Sequence, residues 1–443
     1  GKSYLISHLA DGTYAKDVIW WEIASHYEKK TPGILKDLLR IREKRAGNNS
    51  LKKEAAKRLF GDVLYGSVTR FEQYVQCPFA FFSHYGLLLN ERQQYEISSL
   101  DHGNLFHQAM EHLSHELEQR NKNWQDLSEE EAVLLAAECV DAVAERYQGR
   151  KYFQSNRVSF MLKRLKNEVV HSVWAMWHQM QEGDFVQTYT EKGFRGNDKE
   201  WESMCIPFGE DAKICLNGVI DRVDLCSLPG EELIKIIDYK SSDSQDLSLA
   251  KVYYGLQMQL LTYLEAAKEM VEKEHKGKEA VPAAMLYYAI KEKNLDWKPE
   301  SEEEYEKRVL DSMKCKGYVN EEPEIIGHLD KSVVNGGELI PGQKSGVVPV
   351  AVDKKGLLKK NSGTLSTKDF ETLIAHTKEK MKECGKAILD GKIEAIPYVY
   401  EDNDGCTYCP YGSVCGHESK KDGVREMKKM SDDEVWEALY GDD

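Results

Sequence analysis

Apolar and polar positions recur along this chain in two rhythms. Up to about residue 60 the spacing is helical: Trp20, Trp21, Ile23 and Tyr27 form one apolar patch, and Ile34, Leu38, Leu39 and Ile41 a second. The stretch 45–50 (RAGNNS) breaks them. Residues 65–85 carry Phe71, Tyr74, Phe79, Phe81 and Phe82 and predict a helix that packs its aromatics onto a core. Gly103 through Glu111 (GNLFHQAME) opens another helix, with Asp101 near its start and His107 and Glu111 on one face. Residues 213–225 (KICLNGVIDRVDL) alternate, with Leu216, Val219 and Val223 apolar, and predict a strand. A turn at 227–230 (SLPG) and a second strand at 233–239 (LIKIIDY) complete a hairpin. Residues 247–270 read as a helix. Residues 329–363, rich in Gly and Lys, read as an inserted loop or hairpin.

The 443 residues allow two or three domains, and 41% hydrophobic with 30% charged side chains describe a soluble globular chain with a sizeable core. The longest apolar run, around Leu286, falls far short of the ~18 to 20 residues that span a bilayer. With no basic-then-apolar leader either, a cytoplasmic protein without membrane attachment is expected. The opening Gly1-Lys2-Ser3 lacks an initiator Met, so the chain is expected to be a fragment, a processed chain or an engineered product. Gly-Lys-Ser also ends a phosphate-binding loop, but nothing before Gly1 can be read for the glycine-rich turn such a loop needs, and the match is read as chance.

A formal charge of −15 argues against indiscriminate polyanion binding. The charge is segregated, however. Residues 40–58 hold eight basic side chains against Glu43 and Glu54, and residues 432–443 hold six carboxylates and no base. A basic groove on an acidic body is compatible with that pattern.

The ten cysteines sort by position. Cys139, Cys205, Cys215, Cys226, Cys315 and Cys384 are scattered through apolar patterns and are expected to be reduced core thiols. Cys406, Cys409 and Cys415 instead share a Gly/Pro/Asp-rich loop with C-x2-C-x5-C spacing, where short turns can aim thiolates at one point. Cys77, followed by Pro as Cys409 is, is the natural fourth ligand. His417 competes for that place and would indicate zinc, while disulfides are disfavoured by the intracellular character.

A second constellation lies on the hairpin. Asp221 sits on its first strand, and Asp238 and Lys240, at i and i+2, share one face at the end of the second. Two carboxylates beside a lysine suit metal-assisted phosphodiester hydrolysis: the carboxylates hold Mg2+, a bound water is acidified, and Lys240 stabilises developing negative charge. Gln259 and Tyr263 lie at i, i+4 on one face of the following helix, able to point back at the site, whereas Gln257 lies on another face.

These residues resemble the motifs of RecB-family PD-(D/E)XK nucleases: Asp221 in Gly-Val-Ile-Asp-Arg, Asp238-Tyr-Lys240, Gln259-Leu-Leu-Thr-Tyr263 and upstream His107. The frame of Cys77 with Cys406, Cys409 and Cys415 is similar to the subset in which a [4Fe–4S] cluster fastens the nuclease domain shut, found in the B subunits of bacterial AddAB-type helicase–nucleases. The resemblance covers about residues 65–420. It implies an α/β fold with a mixed sheet flanked by helices and closed by an iron–sulfur staple. The implied organisation is a helical helicase-like end over 1–64, a nuclease domain over 65–430 and an acidic tail over 431–443.

The function implied is Mg2+-dependent exonucleolytic hydrolysis of one DNA strand during processing of double-strand ends for recombinational repair. Asp221, Asp238, Lys240, Gln259 and Tyr263 would act in catalysis, and His107, Asp221 and Asp238 would hold the metal. The implied partners are double-strand ends, single strands and an AddA-type subunit in a heterodimer, the expected seat of ATP hydrolysis. Lys151, Arg157, Lys163, Arg164 and Lys166 form a basic helix that could follow a DNA backbone. The alternative is a non-catalytic iron–sulfur scaffold binding single-stranded DNA or a helicase; intact Asp221, Asp238 and Lys240 favour the enzyme.

Overall fold

The computed structural model describes residues 25–26, 28–33, 50–90, 99–148, 156–194, 204–209, 212–241, 246–290, 295–296, 298–417 and 423–441. The apolar patches expected around Trp20 and Ile34, and the basic residues from Arg40 to Arg45, lie outside them.

The main helices are α1 (Val68–Gln76), α2 (Ser99–Gln119), α3 (Glu129–Gln148), α4 (Asn156–Gln181), α5 (Gln259–Glu274) and α6 (Thr367–Leu389). The strands of the central sheet are β1 (Val186–Phe194), β2 (Gly218–Leu228), β3 (Glu231–Lys240), β4 (Glu279–Ala289), β5 (Lys316–Asn320) and β6 (Thr364–Leu365). They form a six-stranded mixed sheet in the order β6-β5-β4-β3-β2-β1. β1, β2 and β3 pair antiparallel in succession, β3 and β4 are parallel, and α5 supplies the crossover between them.

Alternation along β3 divides its side chains between two cores. Ile234 and Ile236 face the core built with α1, α5 and α6, whereas Leu233, Ile237 and Tyr239 face the core built with α2, α3 and α4. The register irregularity between Ile234 and Lys235 leaves this phase intact, because the extra residue, Ala283, lies on β4. Asp238 and Lys240 therefore emerge on the α5 side, in step with Ile234 and Ile236.

The opposite side of the sheet carries a buried charge cluster. Arg222 grips Asp224 with two bonds of 2.7 and 3.0 Å, and Lys235 Nζ lies 2.8 Å from the same carboxylate. All three are buried, with Trp124 and Phe185 under the two cations. Two cations hold Asp224 below the usual carboxylate range, although burial alone would raise it.

The structure corrects several expectations. The alternation over 213–225 belongs to two strands, not one. Lys213–Leu216 joins a separate three-stranded sheet with Val63–Gly66 and Cys205–Pro207, and the chain changes sheets at Asn217. Gly218 makes that passage possible: a Cβ there would stand 2.8 Å from the Phe194 ring and 3.1 Å from that of Tyr263. The helix expected over 247–270 is interrupted, leaving Leu249–Tyr253 and α5; Gly255 at φ +78° turns the chain between them. Cys205 and Cys215 are a disulfide, not core thiols, because the antiparallel register of their strands sets them directly opposite with Cα atoms 4.2 Å apart. Cys139, Cys226, Cys315 and Cys384 are buried thiols.

Residues 329–363 do contain a hairpin, Val334–Asn335 with Glu338–Leu339, turned by Gly336 and Gly337 at positive φ. The helix Lys53–Phe60 places Ala56 and Phe60 in the α1–α5–α6 core, and the helix Asp432–Tyr440 adds Val435 to it. Among the described residues no helix is long and apolar enough to cross a membrane.

Candidate active site

β2 begins where β3 ends, so the antiparallel pair brings Asp221 next to Asp238 at one end of these two interior strands. The Tyr239 N–H donates to Asp221 Oδ2 at 2.7 Å and fixes that carboxylate. Asp221 is 8% exposed and Asp238 2%, so each must ionise with little water. Burial, with the neighbouring Asp238 charge, pushes the Asp221 carboxyl well above its usual range. Burial also raises Asp238, against the pull of Lys240. Two adjacent carboxylates whose burial opposes their ionisation form a site that a cation would stabilise.

His107 on α2 completes the group from above the sheet. Its Nδ1 lies 2.8 Å from Glu191 Oε1 and 3.6 Å from Asp221 Oδ1. Burial pulls the imidazole down, but the Glu191 hydrogen bond and the charges of Asp221 and Glu191 outweigh it, and the net shift is upward. Ligand atoms of His107, Glu191 and Asp221 all fall within 4.8 Å of one another. One imidazole with carboxylate oxygens, beside a further buried carboxylate, suits a hard divalent cation.

Lys240 Nζ contacts Asp238 Oδ2 at 2.5 Å and donates to Gln259 Oε1 at 3.0 Å. Gln259 Nε2 in turn donates to Tyr263 Oη at 3.1 Å, one turn along α5. Of the expected catalytic residues, Asp238, Lys240, Gln259 and Tyr263 are thus one connected set, while Asp221, bonded to the Tyr239 amide, groups with His107 and Glu191. Gln257 is spent on the turn before α5, accepting from Ser248 N–H at 2.9 Å and donating to the Asp246 carbonyl. Glu111 lies near His115 on an exposed part of α2, apart from this set.

Two residues at the site carry no motif. Glu191 adopts φ +46° in β1, shortly after a register irregularity between Gln187 and Tyr189, which re-aims its side chain. Glu72 on α1 accepts from the first amides of α5. Only the Glu191–Lys192–Gly193 interruption of a polar strand hints at the first, and nothing local marks the second.

At the other end of α1, Cys77 packs with Ala80 and Tyr411, and Cys409 joins them. Tyr411 Oη bonds His84 Nδ1 at 2.8 Å across 327 positions of sequence, closing the cysteine loop onto the region of Cys77. Burial, together with charge on Asp404, Cys77, Cys409 and Cys415, pushes the Cys406 thiol up to about 11. The four sulfurs do not draw together within the 4.8 Å that encloses the His107–Glu191–Asp221 group. Of the expected basic helix, Lys163 is exposed, Arg164 pairs with Glu168 at 2.9 Å and Lys166 with Asp141 at 2.6 Å. Lys151 and the Arg157 side chain lie outside the described residues.

The profile of the PD-(D/E)XK nuclease superfamily matches residues 66–416, a span that contains the whole of this site. The chain belongs to that superfamily. Its mixed sheet flanked by helices is the PD-(D/E)XK nuclease fold, with Asp221, Asp238 and Lys240 on its interior strands β2 and β3. The chain is also similar to the B subunit of the ATP-dependent helicase/deoxyribonuclease of Lachnoclostridium phytofermentans, at 33% identity over 452 residues, covering 100% of this chain and 38% of that protein. The B subunits of the same name from Alkaliphilus metalliredigens and Listeria welshimeri are each 31% identical, over 95% and 91% of this chain and 36% and 34% of their own lengths. The chain therefore spans little more than a third of the relatives it matches.

Proposed function

We propose that this PD-(D/E)XK chain is the nuclease part of a helicase–nuclease subunit, a Mg2+-dependent deoxyribonuclease that hydrolyses one strand as double-strand DNA ends are processed for recombinational repair. The observation that carries the reading is the convergence of His107, Glu191 and Asp221 within 4.8 Å beside the Asp238–Lys240 pair. The names of the relatives support an ATP-dependent helicase–nuclease assembly. On this reading the assembly is cytoplasmic and its partner is an AddA-type, ATP-hydrolysing subunit.

In this mechanism His107, Glu191 and Asp221 would hold the cation, with Asp238 alongside. When bound, the cation would supply acidification of a water and neutralisation of charge on the scissile phosphate. Asp221 is kept in place by the Tyr239 amide, and Asp238 anchors Lys240. Lys240, restrained by Asp238 and Gln259, presents its ammonium to the negative charge that develops on the phosphate oxygens. Gln259 and Tyr263 orient that lysine. Lys163 and its basic neighbours lie on the helix proposed to follow the DNA backbone.

The same reading assigns Cys77, Cys406, Cys409 and Cys415 to a [4Fe–4S] cluster that staples the ends of the domain. Its support is the packing of Cys77 with Cys409 and the mutual charge effects on Cys406, because thiols that oppose one another's ionisation are relieved by metal. The test of the nuclease reading is digestion of end-labelled duplex by the full-length protein in its complex. Mg2+-dependent shortening of one strand supports it; equal cutting in chelator, or none with any divalent ion, contradicts it.

A further inference from the structure

Glu72 lies outside every motif that marks the nuclease site, yet its carboxylate reaches the site's scaffolding. Oε1 accepts the N–H of Met258 at 2.6 Å and that of Gln259 at 3.2 Å. These are amides at the start of α5, where a helix leaves donors without partners, and Met258 offers no capping side chain of its own. Glu72 comes from a different helix, so this cap joins α1 to α5. Burial pushes the Glu72 carboxyl up to about 7, against the pull of the two amides and of Lys240.

The residue capped by Glu72 is the one that holds the lysine. Gln259 is the first residue of α5, and its side-chain oxygen accepts from Lys240 Nζ at 3.0 Å while Lys240 contacts Asp238. A small rotation of the first turn of α5 would carry the Gln259 amide away from Lys240. Tyr263, one turn later and packed edge-on against Phe194 with centroids 6.0 Å apart, is anchored independently. The free end of this arrangement is therefore Gln259, and Glu72 restrains it.

We propose that Glu72 is a positioning residue of the nuclease site, pinning the first turn of α5 so that Gln259 holds Lys240 against Asp238. The inference rests on the nuclease reading above. It also gives the cysteine loop a route to the chemistry. α1 ends at Cys77, whose N–H donates to the Gln73 carbonyl at 2.9 Å, so a displacement of Cys77 moves the helix that carries Glu72.

The experiment compares wild type, Glu72→Ala, Glu72→Gln, Gln259→Ala and the Glu72→Ala/Gln259→Ala pair in the full-length protein, on single-stranded DNA with Mg2+. Glu72→Ala is expected to lower kcat about 10- to 100-fold, the range for groups that orient a metal site from behind, with KM unchanged within about threefold. Glu72→Gln keeps an oxygen that accepts the amides and is expected to recover most of the loss. In the Gln259→Ala background the Glu72→Ala effect should nearly vanish, because the two act along one path. Hydrogen exchange at Met258 and Gln259 should accelerate in Glu72→Ala and remain slow in Glu72→Gln.

Unchanged kcat in Glu72→Ala, a loss that multiplies with Gln259→Ala, or failure of Glu72→Gln to restore activity would overturn the proposal while leaving the nuclease reading intact. Wild-type protein that cuts no DNA would remove both.

Discussion

Asp221 accepts a 2.7 Å hydrogen bond from the backbone of Tyr239, the residue between Asp238 and Lys240. One bond thus ties the start of β2 to the end of β3 and fixes the spacing of the two carboxylates. Without a cation the pair is frustrated, since each is buried and burial raises both. The antiparallel pairing of β2 and β3 creates the site and its demand for positive charge together.

Asp221 and Asp224 share a strand but should fail in opposite ways. Asp221→Asn should cut nuclease turnover by about 100-fold or more, since even outer partners of a metal are worth 10- to 100-fold. It should leave the metal-free protein as stable as wild type or more so, because a raised carboxyl is replaced by a neutral amide. Asp224→Asn leaves Arg222 and Lys235 buried without their carboxylate and should cost about 3 to 5 kcal/mol of stability. Denaturant unfolding and DNA digestion on both variants separate the two roles.

His107 gives the site a pH dependence of definite sign. Its folded pKa is raised, so the stability contributed by the protonated form is present below the ordinary histidine value and is lost as pH rises through the folded one. Metal binding requires the unprotonated imidazole, so cation affinity should climb over that same rise. Glu191→Gln removes a carboxylate that raises His107 and should shift the climb to lower pH. It should also weaken Mn2+ binding by about 10- to 100-fold, measured by titration calorimetry across the neutral range. Affinity independent of pH would take His107 out of the metal set.

Cys77→Ala tests the staple. A cross-link closing most of the chain would stabilise by about 5 kcal/mol at the upper end of the loop-entropy account. The variant should lose bound iron and sulfide and its visible absorbance, and become protease-sensitive near residues 65–90 and 400–417. Full iron content with unchanged proteolytic resistance would require another ligand in place of Cys77.

The parts of this site that were legible are those set by local periodicity. Asp238 and Lys240 share a face because a strand has period two, and Gln259 and Tyr263 meet because a helix repeats near four. Glu191 and Glu72 were illegible because their positions depend on a strand irregularity and on the docking of α1 against α5. The break at Asn217 was hidden by alternation that continues through it into a second sheet. Cys205 and Cys215 meet through the register of two short strands, which spacing alone does not specify. The Arg222–Asp224–Lys235 cluster has the same origin: each residue looks solvated in the sequence, and it is the packing of α4, Trp124 and Phe185 over them that makes them buried.

On the proposed function, Asp238 and its neighbours cut DNA. Its most direct test is digestion of end-labelled duplex by the full-length protein in its complex, comparing wild type with Asp238→Ala. Cleavage of one strand should disappear in the variant, with DNA binding and unwinding retained. Undiminished cutting of both strands by Asp238→Ala would contradict the active-site assignment.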